Sequence, residues 1–133
     1  MISFRHKRIS LCREIAATPE TVWAVVTDTQ LWALWGPSVL EVDCSDRYIE
    51  AGSTGRVRTL LRFWLPFRIT TYKRMAFWSW HIGPLEATGH KLIPASANSS
   101  IFCFDMPWWA FFYLPICQIA LVRISNIALD RTA

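Results

Sequence analysis

From Met106 to Arg131 the chain reads MPWWAFFYLPICQIALVRISNIALDR, with no charged side chain between Asp105 and Arg123. Such a stretch needs cover, as a membrane span, as a segment lying on a membrane surface, or as a helix closed in by a sheet. The uncharged run is about 17 residues, at the short limit for a span. It also contains Pro107, Pro115 and Gln118. The two prolines forbid one unbroken helix from Asp105 onward. An irregular or short helical piece is expected over Trp108 to Leu114, and a regular helix from Pro115, which suits a first turn. On that helix Ile116, Ala120, Ile124 and Ile127 follow at spacings of four, four and three, and Cys117, Leu121 and Ala128 widen the stripe. Gln118, Ser125, Asn126 and Asp130 lie away from it. A one-sided stripe that runs on past Arg123 fits a helix packed against a curved sheet better than a span.

At 133 residues the chain is long enough for one domain, 1–133, with a sizeable core. The hydrophobic fraction is 53%, with 8 Trp, 8 Phe and a mean hydropathy of +0.24. Apolar side chains in that number build an aromatic core, line a cavity or cover a membrane-facing patch. The net charge of +4 favours anionic partners such as phospholipid head groups. There is no dense Lys/Arg block and no nucleic-acid motif, so nucleic acid is not an expected partner. Arg5-His6-Lys7-Arg8 reads as a solvated lead-in to the first strand. The cysteines, at 12, 44, 103 and 117, have no C-x-x-C spacing and no nearby His, so neither a metal nor another cofactor is expected. The first residues lack the apolar run of a secretion signal. The expectation is a cytoplasmic protein, peripheral to the membrane if the apolar patch faces lipid, whose thiols are reduced and serve as small hydrophobes.

Ile9 to Ala17 alternates as a half-buried strand. Thr18-Pro19-Glu20 starts a helix: Thr18 can cap, Pro19 presets φ, and Glu20 lies at the positive end of the dipole. Val22, Val25 and Val26 form its apolar face. A second short helix follows, with Leu31, Leu34 and Trp35 inward and Gly36-Pro37 as its stop. A run of strands comes next. Leu40, Val42 and Cys44 alternate with Glu41 and Asp43. Over Arg56–Phe63, Val57, Thr59, Leu61 and Phe63 oppose Arg56, Arg58 and Arg62. Trp64-Leu65-Pro66 is expected to turn the chain. Ile69 and Thr71, then Trp78, Trp80 and Ile82, then Thr88 to Ile93, and finally Asn98 to Phe104 continue an antiparallel meander.

This order of elements, with Ile15-Ala16-Ala17-Thr18-Pro19-Glu20-Thr21-Val22-Trp23, resembles the START-like or SRPBCC superfamily, in its polyketide cyclase/dehydrase and lipid transport branch. Asp28, the pair Trp32 and Trp35, Pro37, the Gly52-x-x-Gly55 turn, Trp80 and His90-x-Leu92-x-Pro94 carry the likeness further. Asn98-Ser99-Ser100 stands where the family usually has Gly-Thr, and the aromatic run Trp108 to Tyr113 is not a family feature. The resemblance implies an α+β helix-grip fold. A bent antiparallel sheet of six to seven strands would wrap a long C-terminal helix, with two short helices after the first strand. It also implies an elongated cavity for a hydrophobic small molecule or lipid.

By strand parity the cavity lining would be Val57, Thr59, Leu61, Phe63, Ile69, Thr71, Trp78, Trp80, His90 and Leu92, with Trp35 from the second short helix and Ile116, Ala120 and Ile124 from the long one. His90 is the one candidate for acid–base work in a cyclase/dehydratase-type enzyme, against the plainer reading of a satisfied core histidine. No Ser-His-Asp order, carboxylate pair, metal cluster or phosphate loop accompanies it. Trp64, Leu65 and Phe67, bracketed by Arg62 and Arg68, together with Trp108 and Trp109, are candidates for membrane docking. Exposed aromatics would equally suit a homodimer, as an oligomeric module without ligand.

Overall fold

The computed structural model describes residues 2–132. Eight strands make one sheet: β1 (Ile2–Arg5), β2 (Arg8–Ile15), β3 (Val39–Cys44), β4 (Thr54–Thr59), β5 (Trp64–Lys73), β6 (Phe77–Ile82), β7 (Leu85–Ser96) and β8 (Ser99–Pro107). Helices α1 (Pro19–Thr27) and α2 (Trp32–Trp35) follow β2. A 3₁₀ segment, Trp108–Tyr113, leads from β8 into the long helix α3 (Leu114–Thr132). The strand order is β1-β2-β8-β7-β6-β5-β4-β3, antiparallel throughout. This is the helix-grip α+β fold, with the sheet wrapped around α3.

The strand beyond the expected six to seven is β1. Arg5-His6-Lys7-Arg8, expected as a lead-in, is the tight turn between β1 and β2, with His6 and Lys7 at φ 53° and 61°. The helix start behaves as its residues dictate. Thr18 Oγ1 accepts from Thr21 N at 3.1 Å, and α1 buries Val22, Trp23, Val25 and Val26. Asp28 then closes α1 and is itself buried, bound to Arg47 at 3.1 Å. Register shifts interrupt four of the ladders, at Val39/Glu41, Ile69/Thr71, Ser79/His81 and Pro94/Ser96. Each such bulge bends its strand, and together they curve the sheet around the helix.

Four sequence-based placements along β4 and β5 are corrected here. Leu61 and Phe63 do not face inward; they are 77% and 65% exposed. β4 ends at Thr59, whose N–H donates to Phe63 O at 3.0 Å while Arg62 N–H donates to Thr59 O at 2.8 Å. The tip therefore falls at Leu60–Phe63, where Arg62 takes φ 68°, and Trp64-Leu65-Pro66 opens β5 instead of turning the chain. Phe67, expected at a docking tip, lies inside β5 and is 3% exposed. Its ring covers Gly55, where an added Cβ would come within 2.7 Å of it. The Ile69/Thr71 bulge likewise moves Thr71 outward and brings Tyr72 in against Trp23, ring centroids 5.9 Å apart.

On α3 the buried stripe is Cys117, Ala120, Leu121, Ile124, Ser125 and Ala128, with Ile116 and Ile127 half-buried at its edges. Ala120, Ile124 and the widening residues Cys117, Leu121 and Ala128 are where the spacing puts them; the correction is that Ser125, expected outside the stripe, is buried while Ile116 and Ile127 lie at its edges. Trp108–Thr132 has the length and hydropathy of a membrane span, yet its inner face is part of the core.

The thiols also differ from expectation. Cys12 and Cys103 are directly opposed on β2 and β8 and form a disulfide on the face turned away from α3; Cys44 and Cys117 are free. Their sequence separation of 91 hides the pairing until the register is known.

Candidate functional site

Between α2, the α2–β3 connection, β7, β8 and the start of α3 lies a cavity of about 30 Å³. That is room for a single water. Its walls are Trp32, Trp35, Trp80, Phe104, Ile116 and Ala120; its polar atoms come from Ser38, Thr88, His90, Tyr113 and Cys117. A second, open depression of about 410 Å³ on the outer face of the sheet is lined by Asp43, Arg56, Arg68 and His81 among others. It is wider but charged and away from the helix–sheet interior, so the small apolar cavity is the candidate site.

The cavity is small because aromatic rings fill the grip. Trp32, Trp78 and His90 form a continuous stack: Trp32 and Trp78 lie 5.4 Å apart and 9° from parallel, Trp78 and His90 3.6 Å apart and 8° from parallel. Trp80 meets Trp32 edge-on at 5.2 Å. Trp32 Nε1 donates to Val26 O at 3.1 Å, which ties α2 back to α1.

Proton positions around His90 follow from its neighbours. Nδ1 lies 3.3 Å from Trp78 O, a group that can only accept, so Nδ1 carries the hydrogen. Nε2, 3.4 Å from Thr88 Oγ1, is then the acceptor, and Thr88 Oγ1 in turn accepts from Trp80 Nε1 at 3.4 Å. The relay is saturated. Burial pushes the imidazole down to about 3, against a weaker upward pull from the Trp78 carbonyl. A neutral ring of such low basicity is a poor proton acceptor near pH 7. Burial also pushes the Cys117 thiol up to about 12, and raises Tyr113 against the opposing bond from Ser38. Ser38 and Tyr113 are hydrogen-bonded through their hydroxyls and join the α2–β3 connection to the 3₁₀ segment across the cavity mouth. One donor is left over: Trp35 Nε1 is buried with no acceptor among the described residues. Trp78 Nε1 shares that condition, but Trp78 sits inside the ring stack and does not line the cavity.

Of the sequence candidates, Trp35, Trp80, His90, Ile116 and Ala120 meet at this cavity. Val57, Ile69, Trp78, Leu92 and Ile124 are core residues away from it. Thr59 ends β4 and is engaged with the tip. Trp64, Leu65, Trp108 and Trp109 are exposed. Cys117, read as widening the helix stripe, also lines the cavity, whereas Phe104, Thr88, Tyr113 and the connection Gly36–Val39 were missed. Trp32 carried a family signal and Tyr113 stood in the unexplained aromatic run, but neither has a parity that points inward. No group of His, Cys, Asp or Glu among the described residues could hold a metal ion.

The model of a family described as polyketide cyclase / dehydrase and lipid transport matches residues 1–113. The chain belongs to that family, within the SRPBCC or START-like superfamily. No curated protein matches the chain in sequence. Among solved structures the family fold recurs in the ZhuI aromatase/cyclase of a Streptomyces species, with TM-score 0.74, 11% identity, and 95% of each chain covered. XoxI of Bacillus cereus aligns with TM-score 0.70 and 12% identity over 95% of this chain and 98% of its own. Norcoclaurine synthase of Thalictrum flavum aligns with TM-score 0.65 and 12% identity over the whole of both. At these identities the likeness is one of fold. Family membership is consistent with a cavity for a hydrophobic ligand.

Proposed function

We propose that the protein binds a small, flat, apolar molecule carrying a hydrogen-bond acceptor, admitted between α2 and the 3₁₀ segment. The observation that carries this reading is the Trp35 indole N–H, buried and unpartnered among the described residues on a side chain that lines a largely apolar cavity. An unmet buried donor costs about 1–3 kcal/mol. A ligand acceptor relieves that cost, while the closed form bears it. The ring stack leaves about 30 Å³, so binding requires the mouth at Ser38 and Tyr113 to open. The cyclase/dehydratase reading has less support, because burial leaves His90 weakly basic and holds the protons on Tyr113 and Cys117 more tightly.

The test compares 2-acetylnaphthalene with naphthalene by isothermal titration, on wild type and on Trp35→Phe. Wild type should prefer the ketone, and the variant should lose that preference while still binding the hydrocarbon. Equal affinity for both compounds in both proteins, or no binding of either, rejects the reading. Native mass spectrometry of the protein as purified adds whether an apolar ligand travels with it.

A further inference from the structure

We infer that the end of the sheet bearing the cavity mouth docks on a membrane surface rich in anionic lipid. The inference rests on surface chemistry and stands or falls independently of the ligand reading. The registers Arg5↔Arg8, Arg8↔Pro107, Ile82↔Leu85, Arg58↔Trp64 and Val39↔Thr59 bring the β1–β2 turn, the end of β8, the β6–β7 turn and the β4–β5 tip to one end of the sheet. Ser38, bonded to Tyr113, precedes Val39 at the same end. Two exposed apolar groups therefore lie at this end with Ser38 and Tyr113: Leu61, Phe63 and Trp64 of the β4–β5 tip, and Trp108, Trp109 and Phe112 of the 3₁₀ segment. From Phe112 the outward side of α3 continues through Pro115, Ile119 and Val122 at helical spacing before reaching Arg123. The inner stripe is a different set, and among the described residues this second apolar face is exposed at Phe112, Pro115 and Ile119 and half-buried at Val122.

Charge selects the occupant. Trp108 N–H donates to Lys7 O at 2.9 Å, which fixes the Arg5–Arg8 turn beside the aromatics. The acids of this end are already paired: Glu41 with Arg58, Glu86 and Asp105 with Arg8. Arg5, Lys7 and Arg62 form no ion pair among the described residues. Exposed rings with cations alongside match the interface, where aromatics sit at head-group depth and cations meet phosphate. A second copy of the chain fits less well. A two-fold contact sets this end against itself, bringing unpaired cations together with no free acid to meet them. The Ser96–Ser99 turn at the opposite end is polar by comparison.

The experiment is co-sedimentation of the full chain with phosphatidylcholine vesicles, with and without phosphatidylglycerol. It compares wild type, Trp109→Ala/Phe112→Ala and Arg5→Glu/Lys7→Glu. Melting temperature controls for folding, and sedimentation velocity without vesicles reports self-association. Wild type should bind the anionic vesicles and weaken as salt rises. The aromatic variant should lose binding to both vesicles. The charge variant should lose the anionic preference, on the order of fivefold for each cation removed. Both substituted proteins binding like wild type, or wild type binding neither vesicle, overturns the inference. So does a wild-type dimer that the aromatic variant dissolves without any vesicle binding.

Discussion

Tyr113→Phe should weaken the fold and strengthen ligand binding at once. The Ser38–Tyr113 hydroxyl pair spans the mouth of the cavity. Both residues are half-buried, so a Ser38 hydroxyl freed of its partner can turn to water. Removing the phenol oxygen then costs the closed form about 1 kcal/mol, the net worth of an ordinary hydrogen bond. For a domain of this size that lowers the melting temperature by roughly 2–6 °C. The open form has already broken the bond and loses nothing. Its population rises by the same free energy, and the apparent affinity for an apolar probe rises about fivefold. Ser38→Ala should give the same pair of changes, and the double variant should add little to either single one. Urea unfolding monitored by circular dichroism measures the stability, and titration with 2-acetylnaphthalene measures the affinity. A variant whose affinity falls together with its stability refutes the argument. That result would make the Tyr113 hydroxyl a ligand contact, or put the route elsewhere.

His90 makes a second prediction, about acid. Its folded value lies near 3 against an ordinary 6.5, so below pH 6.5 the unfolded chain takes up a proton that the folded one refuses. Its contribution to stability is complete above pH 6.5 and is lost as pH falls toward 3, by up to about 1.4 kcal/mol for each pH unit. His90→Gln should flatten that part of the stability–pH curve, and an unchanged slope would mean that the acid sensitivity lies elsewhere. The third prediction is that peptide mapping without reductant recovers Cys12 joined to Cys103, with Cys44 and Cys117 free. Reduction of that bond should cost about 2–4 kcal/mol, since it closes a long loop in the unfolded chain. Stability unchanged by reductant would contradict this. Because such bonds persist in oxidising compartments, the state of the pair in cells also tests the cytoplasmic expectation.

The fold was legible because its signals are local and repeated. Thr18-Pro19-Glu20 caps a helix wherever it occurs, and Trp78 and Trp80 alternate with Ser79 and His81 however the sheet curves. Parity failed where one residue shifted the count. The bulge beside Ile69 reversed Thr71 and Tyr72, and an early end to β4 put Leu61 and Phe63 into solvent. Both events belong to a pairing between two strands, at the Thr59–Phe63 tip and at the Ile69–Thr71 register against Trp80 and Ser79, so the alternation of a single strand carries no trace of them. The cavity was half legible for a related reason. Trp80, His90 and Ala120 follow from period, whereas Ser38 and Tyr113 lie in irregular segments with no period to read. α3 was ambiguous because it is apolar on two faces. The sheet covers the one with Cys117, Ala120, Leu121, Ile124, Ser125 and Ala128 and leaves Ile119 exposed.

The crowding of the grip narrows the class of ligand. A lipid acyl chain needs an extended channel, and here that volume belongs to Trp32, Trp78, Trp80 and His90. Displacing the stack would expose large rings and break the Trp32–Val26 bond. Removing a buried tryptophan from its packing typically costs about 3–5 kcal/mol. A flat molecule that separates α2 from the 3₁₀ segment while leaving the stack intact avoids that loss. It gains contact with Trp35, Phe104 and Ile116 and satisfies the one donor the cavity leaves open. Apolar molecules of that size concentrate in membranes. An aromatic, cationic end around the mouth would place the proposed binding cavity where such a ligand is abundant.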